Sequence, residues 1–570
     1  MDLERHMDYK NAIAIAIANA VELDPQELQG YLETPPQPEM GDYAFPCFRL
    51  AKALRKAPPA IAEQLKAQLT LPGGIDRIEI AGGYLNFFVD KQAYASDVLT
   101  RVLREGARYG ASDQGQGGRV CIDYSSINIA KPLSIAHLSS TAIGNALYRI
   151  LGHLGYAPVG INHLGDWGTQ FGRMIVAYKR WGNKELVERE SVRGLVKLYV
   201  RFHDEVENNP ALDDEGRAWF RKIETGDSEA LELFNWFKDI TLREVMRVYD
   251  LLDVHFDSYA GESFYEDKMQ PVVDELRAKD LLKLDDGAQI VDLSEYDMPP
   301  CIILRSDGAT LYATRDLATA IYRKNTYDFV KSLYVVAYQQ NLHFRQFFKV
   351  LELMGRDWVK DMTHVNFGMV SMEEGTLSTR HGNVVYLEDV LNAAIEKTRE
   401  IMKEKSPDLE DAEQAAEAVG VGAVVWGVLY NSRIKDITFS WARALNFDGE
   451  TGPYVQYTHA RCCSVLRKAS GYTLAALDAS VLTDPASFAL IRALDAFPAA
   501  IQAAADKSES YLVARALIDI CGSYNRFYYD NRIMDDDPAV QNARLALTDA
   551  CRQVTKLGLS LLGLKAPERM

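Results

Sequence analysis

The chain has 570 residues, enough for three or four domains at roughly 150 residues each, and 48% of them are apolar and 25% charged. That balance excludes a disordered chain, a collagen-like fibre and a small disulfide scaffold. With 63 Lys and Arg against 80 Asp and Glu the formal net charge is −17, so the surface as a whole repels polyanions and any nucleic acid must meet a local basic face.

In chain order, residues 1–112 read as a small α/β domain. Residues 10–23 have helical periodicity, and residues 51–69 do too, with Pro58-Pro59 at a helix start. Residues 78–90 alternate like two strands around Gly82-Gly83. The glycine-rich residues 111–118 read as a linker. A β-α-β unit follows: a strand at 120–124, a polar loop at 125–134, a helix from Ile135 closed by His153 and Gly155, and a strand at 159–162.

Residues 184–250 are charged and helical, broken at Asn208-Asn209-Pro210, and read as an insertion. A second half of the sheet is expected after it: a strand at 301–305, a hairpin turn at Asp307-Gly308, and a return strand at 311–314. A strand at 333–337, a helix at 341–354 and a strand at 364–370 continue the alternation. From residue 412 onward every long segment is helical. Strands alternating with helices argue for a doubly wound parallel sheet at 113–411, and the all-α segment 412–570 for a separate helical domain.

The cysteines, Cys47, Cys121, Cys301, Cys462, Cys463, Cys521 and Cys551, form no C-x-x-C pair and no cluster with zinc spacing. They are expected to be reduced thiols of a cytoplasmic protein, with no protein-held metal. Residues 12–20 are apolar but broken by Asn19 and lack a basic lead and a cleavage pattern, so no signal peptide is expected. No run of about 18 apolar residues is present, so no membrane span is expected.

Five stretches carry polar chemistry. Ser125-Ser126-Ile127-Asn128-Ile129-Ala130-Lys131-Pro132, running to His137, joins a strand to a helix. Free N–H groups and the positive dipole end make such a loop an anion site, although an ordinary β-α turn capped by Ser134 reads the same. The run from Asn162 to Gly172 sets Gly165, Asp166 and Gln170 at a strand's carboxyl end, where a crevice forms, or else is a turn with Trp167 in the core. Glu262 with Tyr312 and Asp316 offers paired carboxylates to a cationic ligand; as ordinary structure, Asp316 belongs to a helix N-terminus and Glu262 to a loop. The segment from Glu373 to Asn383 holds Ser378, Thr379, Arg380 and His381 between glycines, a loop able to close over phosphates. In the helical region Tyr454-Val455-Gln456-Tyr457-Thr458-His459-Ala460-Arg461 and Tyr524-Asn525-Arg526-Phe527-Tyr528-Tyr529 interleave aromatic and basic residues. Such faces stack unpaired bases, or form a bundle core with tyrosines at its rim.

Taken together, and in this order, these stretches resemble the arginyl-tRNA synthetases, a class I aminoacyl-tRNA synthetase family, over essentially the full length. Gly41-Asp42-Tyr43-Ala44, Ala81 to Phe88, Asn128-Ile129-Ala130-Lys131-Pro132, Gly165 to Gly172, Tyr312-Ala313-Thr314-Arg315-Asp316, Gln340-Asn341-Leu342-His343-Phe344, Pro453 to Tyr457 and Ala566 to Met570 carry the resemblance. It implies a Rossmann-type catalytic domain, an N-terminal domain contacting the tRNA elbow and a helical anticodon-binding domain. It further implies ATP with Mg²⁺ on the substrate phosphates, L-arginine and tRNA(Arg) as substrates, and a monomer. By position, Asn128, Glu262, Tyr312, Asp316 and Gln340 would hold arginine. Ser134, Ala136, His137, Gly165, Asp166, His343, Ser378 and Thr379 would serve ATP, with His137, Lys131, Ser134 and Arg380 catalytic. Tyr454, Gln456, Tyr457, Arg461, Tyr524, Arg526 and Met570 would contact tRNA.

The family's signature on the first helix is His-x-Gly-His, and here it reads Ser134-Ile135-Ala136-His137. Losing a donor to the leaving phosphates costs about 3 kcal/mol of barrier, on the order of 100-fold in rate. An alanine methyl in place of glycine is expected to crowd the base. His381 follows Arg380 where many relatives have lysine. The sequence therefore supports a working synthetase with an adapted ATP site. It leaves open an impaired or repurposed paralogue or variant that binds arginine or tRNA, or that passes arginine to another acceptor.

Overall fold

A computed structural model describes residues 8–35, 37–306, 308–373, 385–469 and 471–570. The chain divides into two compact units.

The first unit comprises Met1–Tyr109, Cys462–Ala496 and Asp519–Val554. It contains α1 (Tyr9–Val21), β1 (Tyr43–Pro46), α2 (Pro58–Gln68), β2 (Ile75–Ala81), β3 (Tyr84–Val89) and α3 (Lys91–Glu105). The strands form an antiparallel sheet in the order β1-β3-β2, and β2 turns into β3 over Gly82-Gly83 as the alternation predicts. The single helix expected at 51–69 divides into Ala51–Leu54 and α2. Pro58 explains the division: it disfavours a helical residue before it, and Ala57 is extended at φ −68°, ψ 141°.

The helix Pro485–Lys507 has the length and apolar composition of a membrane span, against the expectation of none. Its Arg492 pairs with Asp42 and its Asp495 with Arg101, so within this unit it packs as a charged, core-forming helix.

The second unit comprises Gly110–Arg461, Phe497–Ile518 and Thr555–Met570. Its chain runs through β4 (Arg119–Asp123), α4 (His137–His153), β5 (Ala157–Ile161) and α5 (Thr169–Trp181). The inserted helices Lys184–Glu190, Val192–Asn208, Ala211–Glu224 and α6 (Ser228–Leu252) follow. The predicted break at Asn208-Asn209-Pro210 falls between the second and third of these.

Beyond the insertion come β6 (Leu282–Asp285), β7 (Ala288–Val291), β8 (Cys301–Leu304), α7 (Tyr312–Tyr327), β9 (Lys331–Tyr334), α8 (Asn341–Leu353) and β10 (Met362–His364). Strands β10-β9-β4-β5 pair in that order, all parallel. The sheet is therefore doubly wound, with β4 at its centre and the connections diverging between β4 and β9. That divergence opens a crevice at the carboxyl ends of the strands.

Three sequence expectations are corrected here. The strand at 301–305 belongs to a separate antiparallel sheet β6-β7-β8. The return strand at 311–314 does not form: after a single bridge between Leu304 and Thr310, Tyr312 opens α7. Thr314 is drawn into that helix while its hydroxyl donates to the Ile303 carbonyl at 2.6 Å; Asp307 of the expected turn lies outside the described residues. The strand at 364–370 splits into β10 and β11 (Val370–Met372), and β11 pairs with β12 (Ile437–Phe439) instead of joining the main sheet.

Helix α4 lies close over β4. A Cβ at Gly144 would stand 2.2 Å from the Tyr124 ring, so only glycine permits this approach. Beneath the sheet's centre Asp123 pairs with the buried Arg323 of α7 at 2.7 Å.

Candidate active site

The loop after β4 is held from four sides. Ser125 and Ser126 have φ 68° and 45°, a left-handed turn that hydrogen bonds stabilise. The Ser125 amide donates to Ser140 Oγ at 2.9 Å, and that hydroxyl donates to the Val335 carbonyl beyond β9 at 2.7 Å. Ser126 Oγ donates to Asp123 at 2.6 Å, so the buried Arg323 pair also fixes the loop. The Ala130 amide donates to Thr241 Oγ1 of α6 at 3.0 Å. Asn128 bridges to Gly165, and its Oδ1 would stand 2.2 Å from a Cβ at that glycine. The asparagine, exposed at the crevice, therefore rests on bare backbone.

At the start of α4, Ser134 and His137 form a closed pair. The Ser134 amide donates to His137 Nδ1 at 3.1 Å, and the Ser134 hydroxyl lies 3.0 Å from the same nitrogen. An amide can only donate, so Nδ1 is the unprotonated nitrogen and Nε2 carries the proton. Burial, together with repulsion from Lys131, holds the ring below the usual imidazole range. His137 is thus a neutral Nε2–H donor.

The expected capping role for Ser134 is corrected. Ala136 is the N-cap residue and no side chain caps the helix, because the Ser134 hydroxyl serves the imidazole. Ala136 has φ −63° and ψ −24° and is exposed, so the backbone makes no demand for glycine there. Lys131 is exposed beside this turn.

The carboxylates expected at the arginine site are both engaged. Arg315 lies 3.3 Å from Glu262 and 3.0 Å from Glu266, and Asp316 accepts from His343 Nε2 at 2.6 Å. Burial pushes the Glu262 carboxyl up from its ordinary range, while Arg315 opposes the shift; Asp166 and Asp316 add to it. The two predicted carboxylates therefore share one electrostatic environment. Tyr312 is 61% exposed with its ring 4.9 Å from that of His343, and Gln340 is exposed at the N-cap of α8.

Asp166 departs from its expected contact with ATP. It is fully buried, accepting from Lys238 of α6 at 2.6 Å and from the Ser263 amide and hydroxyl at 2.9 and 2.8 Å. Its carboxylate fixes the turn that presents Glu262. Trp167 packs against Phe220 and Phe234 of the insertion, the core reading of that stretch. Sequence reasoning missed Lys238, Thr241 and Tyr249, which the insertion supplies from more than 70 residues away; no local pattern marks them.

Ser378, Thr379, Arg380 and His381 lie outside the described residues. The described chain resumes at Val385, whose carbonyl accepts from the Ile135 amide at 3.0 Å, and Tyr386 bridges to Ser134. Val385 and Tyr386 thus meet the turn that holds His137.

In the helical region Gln456 and Tyr524 are fully buried and depart from the expected tRNA contacts. Gln456 donates to the Ala418 and Lys565 carbonyls at 2.9 and 2.8 Å, tying down the C-terminal tail. Met570 packs partly buried against Met402, Ala415, Ala416 and Val419. Tyr457 is exposed with Arg461 over its ring at 4.8 Å, Tyr454 is half-buried, and Arg526 is exposed. Tyr529, one helical turn beyond Arg526 and 89% exposed, was not singled out from the sequence.

Three family models cover nearly the whole chain. Residues 98–441 match the model described as tRNA synthetases class I (R), catalytic domain; residues 455–570 match the DALR anticodon binding domain; residues 7–89 match the arginyl tRNA synthetase N terminal domain. The "Arginine--tRNA ligase" of Alkaliphilus metalliredigens is 53% identical over 564 residues, 99% of this chain and 100% of that one. The protein of the same name from Clostridioides difficile is 54% identical over 564 residues, with the same coverage. Among solved structures, the Thermus thermophilus arginyl-tRNA synthetase superposes with a TM-score of 0.81 at 27% identity, covering 98% of this chain and 100% of that one. The parallel doubly wound sheet and this full-length likeness lead to one conclusion: the chain belongs to the arginyl-tRNA synthetase family.

Proposed function

We propose that this chain is an arginine--tRNA ligase that activates L-arginine with ATP and transfers it to the 3′ end of tRNA(Arg), working as a cytoplasmic monomer. The observation that supports the reading is that Glu262 and Asp316 share one electrostatic environment in a chain of this family. Two coupled carboxylates suit a substrate with two cationic groups, and an uncharged side chain would leave them unpaired. Asn128, Tyr312 and Gln340, each exposed, complete the proposed arginine site.

His137 donates a neutral Nε2–H to ATP, and Lys131 supplies charge beside it. The backbone amide of residue 134, which a histidine there would also supply, fixes the tautomer of His137, and the hydroxyl of Ser134, in place of the first signature histidine, lies 3.0 Å from the same nitrogen. Gly165, Ala136 and His343 serve the nucleotide, and Ser378, Thr379 and Arg380 its phosphates. Among the described residues no group of three or more His, Cys, Asp or Glu gathers to hold a metal, and Mg²⁺ enters on the ATP phosphates. Residues 1–112 approach the tRNA elbow, 113–411 with the insertion at 184–250 carry the reaction, and 412–570 read the anticodon. There Tyr454, Tyr457, Arg461, Arg526 and Met570, joined by Tyr529, make the contacts.

The test is charging of tRNA(Arg) with labelled arginine by this chain beside the double variant Ser134→His, Ala136→Gly. Because Ser134 already holds His137 and Ala136 is unstrained, the chain is expected to charge within about tenfold of the variant, roughly 1.4 kcal/mol of barrier. Charging seen only in the variant overturns the reading.

A further inference from the structure

Side chains of the chain itself, Arg315 and His343, sit on both carboxylates of the proposed arginine site, and the two are held in different ways. Arg315 spans Glu262 and Glu266, so one arm anchors it when the other is disturbed. A planar guanidinium with two carboxylate partners is a fixed feature. His343 has one carboxylate partner, Asp316, reached through a single nitrogen at 2.6 Å. Its ring rests between Tyr312, at 4.9 Å, and Phe347, at 6.2 Å and nearly parallel, contacts that keep it in place without competing for its polar atoms.

A guanidinium recognised by a carboxylate takes both oxygens in a two-pronged bond. With His343 on Oδ2, Asp316 offers only part of that geometry. The side chain of Asp316 is one-third exposed and the neighbouring Tyr312 more so, which makes Asp316 the carboxylate an incoming guanidinium can reach; Glu262 is the more buried of the two and already paired with one nitrogen of Arg315.

We propose that His343 is a displaceable hydrogen-bond partner of Asp316: substrate arginine evicts it from the carboxylate, and the freed Nε2 turns to the nucleotide, so that arginine binding tightens ATP binding. The proposal rests on the arginine-activating reading and deepens it. In the absence of arginine the imidazole occupies one oxygen of the carboxylate. When arginine takes the carboxylate, the imidazole loses that partner and becomes available to the ATP role proposed for it above. Arginine and ATP are thereby coupled through one side chain, and the coupling is reciprocal.

His343 is a positioning residue, and its removal has opposite expected effects on the two substrates. In steady-state charging of tRNA(Arg), with the full chain and saturating tRNA, His343→Ala is expected to lower KM for arginine about fivefold and to raise KM for ATP by a similar factor. His343→Gln, which restores a neutral donor, is expected to fall between the variant and the wild type on both. Equilibrium binding is expected to show ATP affinity rising with arginine in the wild type and independent of arginine in His343→Ala. Asp316→Asn is the control and is expected to weaken arginine binding whatever His343 does. A rise in KM for arginine in His343→Ala overturns the proposal, because His343 then holds Asp316 ready for substrate. Unchanged KM values overturn it too. If His343→Ala does not fold, His343→Gln decides alone: a KM for arginine at or above the wild-type value overturns the proposal. If the wild type charges no tRNA with arginine, it is the proposed function that fails, and the two failures are told apart.

Discussion

At Glu262 two influences oppose one another. Burial disfavours its charge, the Arg315 guanidinium at 3.3 Å favours it, and burial is the larger. The carboxyl therefore takes up a proton at a higher pH than an ordinary glutamate. Only the ionised form attracts a cationic substrate, so kcat/KM for arginine is expected to fall as the pH drops through this raised range, sooner than an unperturbed carboxylate would dictate. In Glu262→Gln this acid limb is expected to vanish and KM for arginine to rise about 10- to 100-fold, the loss of a charge-assisted hydrogen bond worth roughly 1.5–3 kcal/mol. A pH series of initial charging rates from about pH 5 to 8 measures both, and an acid limb unchanged in the variant counts against the assignment. Which residue types to propose for the site was legible in the sequence, since Asn128, Glu262, Asp316 and His137 each stand in a polar stretch. What each polar atom does was not. Asp166 and Gln456 read as ligand contacts because polar residues flanked by glycine or aromatics look alike whether they face solvent or a half-buried lysine 72 residues on.

The elements that sequence reasoning located best are those whose signal is local. Gly82-Gly83 turns a hairpin, and His153 with Gly155 ends α4, because turn and cap chemistry is decided within a few residues. The segment 311–314 went astray because its residues suit a strand, yet α7 gains the burial of Ala313, Leu317, Ala318 and Ala320 against β8 and α8. Tertiary packing outweighed a short β-like run. The same packing makes α4 sensitive at one face. Gly144→Ala would set a methyl 2.2 Å from the Tyr124 ring, whose hydroxyl is itself donated to the His255 carbonyl at 3.3 Å, so the ring cannot simply retreat. The substitution is expected to destabilise the fold by about 1–3 kcal/mol, although alanine is the better helix former. Urea denaturation of the variant beside the wild type checks the sign, and a stabilised variant would show that α4 is free to move off the sheet.

For the whole molecule the charge balance sets the terms of tRNA binding. A chain of net charge −17 approaching a polyanion gains nothing from its average field, so attraction must come from a few exposed cations whose contacts release counter-ions one by one. Arg526 is such a cation: its side chain is 73% exposed, and its partner Asp530 lies 3.5 Å away on the same helix, a surface pair worth little. Tyr529, three residues on and on the same face, carries no charge and offers a stacking surface. The two therefore separate the electrostatic from the stacking contribution. With about three phosphate contacts, raising the salt from about 50 to 200 mM is expected to weaken tRNA binding roughly 20- to 40-fold. Arg526→Ala is expected to reduce the slope of log affinity against log salt by about one. Tyr529→Ala is expected to weaken binding by about 1–3 kcal/mol at every salt concentration with the slope intact. Filter binding of labelled tRNA(Arg) across a salt series reads all three. If Arg526→Ala lowers affinity with no change of slope, its guanidinium meets a base or a sugar, and the phosphate contacts of this acidic chain lie elsewhere on its surface.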